Sequence, residues 1–202
     1  MDDGTTIAQI KAFIGTHPPP KLPADAMLSS EDFLRLGYTP RIVYPVASES
    51  DADKTEEEIG FPIPALLRRL YLEVSNGIAG FGYDIIGLKG GCAASPGTLV
   101  LSYLDLKAAF NYSRRKWRPG LLPFCDWGCC SLSCVDCSDP AAPVLTYDPN
   151  ELSEEGYSLR EFFGMWVKGK VHRSEGVVVT KKIINPFAGK KTTVHGRRTR
   201  RR

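Results

Sequence analysis

Apolar and polar positions along this chain follow two rhythms, one helical and one extended. Between Thr6 and Ile14, Ile7, Ile10 and Ile14 share a helical face, and Gly15 predicts its end. The following HPPPKLP is an extended linker, because Pro18, Pro19, Pro20 and Pro23 supply no backbone donors. Ser29 with Asp32 opens a short helix through EDFLRL, which Gly37 closes. IVYPV is a strand, and Pro45 assigns it to a sheet edge. Thr55 with Glu58 has the spacing of a capping box, and Gly60 stops that helix. Pro64 sits where a first helical turn tolerates proline, ahead of an apolar face made by Leu66, Leu67, Leu70, Tyr71 and Val74; Asn76-Gly77 supplies the stop. GFGYDIIGLKGG reads as a strand between glycine turns, and Ser102 with Asp105 caps a helix running to about Asn111.

From Leu121 the pattern turns to strands: LLPFCDWG, CCSLSCVDC and PVLTYD, with Ser138-Asp139-Pro140 as a hairpin connection. Ser158 with Glu161 is another capping box. The helix it opens carries Leu159, Phe162, Phe163, Trp166 and Val167 on one wide stripe, so it must bury that face against a sheet. VVVTKKII and KKTTV flank a turn and read as an appended hairpin, ahead of the solvated tail HGRRTRRR.

Composition adds bounds. The 202 residues suffice for one full core, and 43% hydrophobic with 24% charged residues is ordinary globular usage. No apolar run approaches the roughly 20 residues that cross a bilayer, and the acidic N-terminus is unlike a secretory signal. The expectation is a cytoplasmic protein with no membrane contact. The net charge of +3 conceals an asymmetry. Residues 168–202 hold 12 Lys/Arg and one acid, Glu175, whereas 1–167 hold 14 basic and 22 acidic residues. An acidic body disfavours nucleic acid and suits a basic partner; it also serves solubility. Nucleic acid is expected only through the tail, Arg197, Arg198, Arg200, Arg201 and Arg202.

Catalytic chemistry has few carriers. His17, His172 and His195 lie outside the folded text, and neither a phosphate loop nor a dinucleotide fingerprint is present. No catalytic residue and no cofactor is assigned. Cys125, Cys129, Cys130, Cys134 and Cys137 cluster within thirteen positions, so Cys125, Cys129, Cys134 and Cys137 could supply four thiolates to a structural zinc. Against this, the second C-x₂-C is missing. A strand through CCSLSCVD would also turn Cys130, Leu132 and Cys134 to one face and Cys129, Ser131 and Ser133 to the other. Cysteine as a small core hydrophobe is the simpler account.

Three motifs in order carry a family resemblance. Glu56-x-x-Ile59-Gly60, Pro64-x-x-x-Arg68-x-Leu70-Tyr71 and Ser75-Asn76-Gly77 form the first. Pro123-Phe124-Cys125-Asp126-Trp127-Gly128, followed by Val135-Asp136 and Val144-Leu145, forms the second; Ser158-Leu159-x-Glu161-Phe162-Phe163-x-x-Trp166 forms the third. Together they resemble the SUKH superfamily of Smi/Knr-type cell-wall regulators and bacterial toxin-immunity proteins. The resemblance implies a single α+β domain, a twisted, mainly antiparallel sheet packed against helices. It places the domain at 48–168, with residues 1–47 as a helix and proline-rich extension and 169–202 as a basic segment. It implies a non-catalytic binding module, an immunity protein against a nuclease- or deaminase-like toxin; a regulatory scaffold is the alternative, and a small zinc- or nucleic-acid-binding protein the further one. Glu56, Gly60, Pro64, Asn76, Gly77, Trp127, Gly128 and Trp166 are expected to serve the fold, with Trp127 burying a large area. The partner surface is expected at exposed acids such as Asp84, Asp126, Asp136 and Asp139.

Overall fold

The computed structural model describes residues 2–16, 42–80, 84–94, 97–113, 116–149 and 151–171. The proline linker, the helix expected at EDFLRL, the C-terminal hairpin, the arginine tail and all three histidines lie outside the described residues. Helices α1 (Asp3–Thr16), α2 (Glu49–Ile59), α3 (Ala65–Glu73), α4 (Leu99–Tyr112) and α5 (Leu159–Trp166) surround seven strands. These are β1 (Ile42–Val43), β2 (Ile78–Ala79), β3 (Asp84–Ile85), β4 (Leu121–Asp126), β5 (Leu132–Asp136), β6 (Pro143–Asp148) and β7 (Glu151–Ser158). All seven form one sheet in chain order, and every pairing is antiparallel. The fold is a single-domain α+β architecture.

Several local signals act where the sequence places them. Ser158 and Glu161 form the reciprocal capping box that starts α5, and Gly60 ends α2 at φ 86°. β1 is an edge strand. Others are displaced. Gly15 does not end α1, which continues to Thr16. The box that starts α2 is Ser48 with Asp51, seven residues before the expected one, and Thr55 lies mid-helix with its hydroxyl donating to the Asp51 carbonyl at 2.8 Å. Helix α4 begins after Thr98, and Ser102 inside it donates its hydroxyl back to the Gly97 carbonyl. In both cases an earlier residue already offers the extended N-cap conformation, so the helix starts as soon as the chain can turn. Asn76 is not a helix stop either, because α3 ends at Glu73 with Val74 as its C-cap.

The sheet is buried on two sides. Leu122, Phe124, Val135 and Val144 join a core with Leu67, Leu70 and Tyr71 of α3 and Phe162, Phe163 and Trp166 of α5. Leu121, Cys134, Leu145 and Tyr147 join Leu106 and Phe110 of α4 in a second cluster. Burial on both faces explains why β4 reads as a continuous apolar run instead of an alternation. Pro123 cannot donate to a ladder, and the β4–β5 register shifts between Pro123 and Cys125. Helix α1 packs on α3 and α5, burying Ile7 and Ile10 and setting Phe13 edge-on to Trp166 at 5.1 Å between ring centroids.

Candidate protein-binding surface

The first motif is a brace between helices. Glu56 accepts the Ile63 amide at 2.9 Å and pairs with Arg68 at 2.9 Å, fixing the turn between Gly60 and Pro64. Arg68 also holds Glu49 and Asp53, each at 2.7 Å, so one guanidinium gathers three carboxylates of α2. Those three carboxylates raise its basicity. Pro64 caps α3 with its extended backbone and no side-chain bond. It lines a groove of ~410 Å³ with Pro62, Leu66, Asp139, Ser158 and Arg160, the last held to Asp3 at 2.7 Å.

Asn76 and Gly77 tie β2 to the loop after β3. The Asn76 carboxamide accepts the Leu88 amide at 2.7 Å and donates to the Lys89 carbonyl at 3.2 Å, while its backbone carbonyl takes the Cys92 amide at 2.9 Å. Gly77 has φ 85°, and a Cβ there would lie 2.6 Å from that of Cys92. Trp166 is buried in the core. Trp127 is half-buried: its ring packs against the core from the side while its Nε1 donates to Ser133 Oγ at 2.8 Å.

The four expected surface acids divide between the two ends of the sheet. Asp84 and Asp126 are registered partners on β3 and β4. Asp84 accepts the Gly80 amide at 2.8 Å and Asp126 the Gly128 amide at 2.7 Å. Burial raises the Asp84 pKa, the Gly80 bond opposes this, and the Asp126 charge adds to the rise. Asp136 pairs with Leu121, at the far end of β4. Five residues at ~3.4 Å each separate the two ends by about 17 Å. Asp136 is also not a surface group. It is 2% exposed, and Arg118 and Ser138 occupy its carboxylate. Burial alone would raise its pKa, but the Ser138 hydrogen bonds and then the Arg118 charge hold it below the usual carboxylate range. Arg118 does not stand out in the sequence; its only signal is a carboxylate ending an apolar strand with a cation upstream. Asp139 is exposed in the β5–β6 turn, where it accepts the Ala141 amide at 2.8 Å.

The cysteines separate as well. Cys125 and Cys134 are buried within β4 and β5, Cys137 is half-buried, and Cys129 and Cys130 are exposed. Burial pushes the thiols of Cys92 and Cys137 up to about 11 and 12, and those of Cys125 and Cys134 up as well. Among the described residues no three of His, Cys, Asp or Glu converge on a metal site. The strand expected through CCSLSCVD is shorter than the sequence suggests: β5 begins at Leu132, leaving Cys129 and Cys130 in the hairpin turn.

A family model described as the SMI1 / KNR4 family (SUKH-1) matches residues 46–165. Among curated proteins none matches the chain. Among the described residues no helix is long and apolar enough to cross a membrane.

Proposed function

Since this chain belongs to the SMI1/KNR4 (SUKH-1) family, we propose that it is a non-catalytic, immunity-type binding protein of the cytoplasm. It covers the basic, nucleic-acid-cleaving or deaminating face of a toxin domain, and residues 48–168 form the binding unit. The Asp84–Asp126 pair is the observation that carries the reading. Two carboxylates set directly opposite each other on neighbouring strands destabilise a sheet by roughly 0.2–1 kcal/mol, and the loop amides they accept, from Gly80 and Gly128, need an acceptor oxygen but no charge. A partner cation placed between them removes the repulsion and replaces it with charge-assisted hydrogen bonds. The acidic balance of residues 1–167 extends the same field and speeds encounter with a basic surface.

The test starts with affinity capture of the tagged full-length protein from its own cells. The expected result is one stoichiometric partner with a basic domain, whose activity stops at one equivalent of inhibitor. Replacing Asp84 and Asp126 together by Asn should then slow association at least severalfold at low salt and have less effect at high salt. Several substoichiometric partners, or an association rate indifferent to both salt and the double substitution, would overturn the proposal.

A further inference from the structure

The β4–β5 hairpin turns through Gly128, Cys129 and Cys130, all left-handed, with φ of 75°, 49° and 63°. Ser131 donates its amide to the Gly128 carbonyl at 3.0 Å, and Trp127 donates to the Ser131 carbonyl at 2.9 Å. Positive φ at both central residues is the signature of a type I′ turn, where Asn-Gly is preferred. Here both positions are cysteines, and both side chains are exposed. The other four thiols are wholly or partly buried, and burial holds them in the neutral form. The hairpin ladder therefore presents two accessible sulfurs on neighbouring residues at a fixed turn.

The number of sulfurs selects the ligand. A closed zinc site needs four protein donors, and among the described residues no third metal-binding group joins this pair. A trivalent arsenic that already bears one carbon substituent needs two sulfurs and no more. We infer that the Cys129–Cys130 turn is a two-thiol binding site for mono-organyl trivalent arsenicals. The reaction is condensation without change of oxidation state. R–As(OH)₂ loses both hydroxyls, each leaves as water with one thiol proton, and two As–S bonds replace two As–O bonds. Both sulfurs come from one turn, so the product is a chelate ring, which a monothiol must open twice to displace.

The probe is phenylarsine oxide, added to the full-length protein and followed by intact-mass spectrometry under excess 2-mercaptoethanol, then under 2,3-dimercaptopropanol. One adduct per chain should survive the monothiol and be removed by the dithiol. Cys129→Ser and Cys130→Ser should each lose the monothiol-resistant adduct, whereas Cys137→Ser should keep it. Both substituted side chains at the turn are exposed, and thermal melting of each variant verifies that it folds. The absence of a monothiol-resistant adduct would overturn the assignment. So would its survival in either the Cys129 or the Cys130 variant, or its loss in the Cys137 variant.

Discussion

At the scale of single residues, the hairpin tip places side chains where the backbone disfavours them. A left-handed conformation costs an L-residue roughly 1–2 kcal/mol, and Cys129 and Cys130 hold it in succession. Asn at the first position and Gly at the second are the residues that a type I′ turn prefers. The gain is partly offset, because glycine adds unfolded-chain entropy equivalent to about 0.4–1 kcal/mol. The double substitution Cys129→Asn/Cys130→Gly should therefore stabilise the protein by about 1 kcal/mol. Urea unfolding should show a higher midpoint at an unchanged slope. An unchanged or lower midpoint would mean that the tip carries no strain. Asn76 is the opposite case, a polar side chain whose hydrogen bonds to the Leu88 amide and Lys89 carbonyl leave nothing to relieve.

At the scale of elements, legibility depended on whether a signal was local and unique. Helix α5 was readable throughout, since one capping box precedes one apolar stripe and no competing start lies upstream. Replacing Ser158 by Ala removes the oxygen that accepts the Glu161 amide and should cost about 1 kcal/mol. Denaturant titration reads that loss; Ser158→Asp should recover most of it. Helix α2 was readable only in its end. Ser48 and Asp51 cap it, but acids recur so densely through Glu58 that Thr55 with Glu58 offered an equivalent spacing. Strand β7 was not readable. Its sequence, ELSEEGYS, is polar and contains a glycine with φ 78°, and among the described residues its one ladder is with β6. What makes it a strand is the register set by β6, information that its own residues do not carry. The acidic pair was invisible for the same reason: Asp84 and Asp126 are 42 positions apart in sequence, and only the β3–β4 register brings them face to face.

For the whole molecule, the two ends of β4 respond to pH in opposite directions. At the buried end, the native pKa of Asp136 lies below the ordinary value of 3.8. Its contribution is present above that ordinary value and is lost as pH falls through the native pKa. At the Asp84–Asp126 end, the native pKa of Asp84 is raised, so the folded protein takes up a proton before the unfolded chain does. That contribution is full below the unfolded value and disappears as pH rises through the native one. Near neutrality the protein therefore keeps the Asp136 anchor while carrying the partly buried charge of Asp84 and its repulsion with Asp126. Asp84→Asn isolates the second effect, because the carboxamide oxygen can still accept the Gly80 amide while the charge is gone. The variant should be more stable than the parent at pH 7 by roughly 0.2–1 kcal/mol, the size of an opposed like-charge pair. The difference should shrink as the pH falls and the parent's own carboxyl takes up its proton. Chemical unfolding at a series of pH values measures both. A constant offset would assign the gain to packing, and a loss at pH 7 would mean that the carboxylate stabilises the fold. The expected pattern, a sheet end made more stable by removing a charge and yet slower to bind a basic partner, separates a binding surface from a structural one.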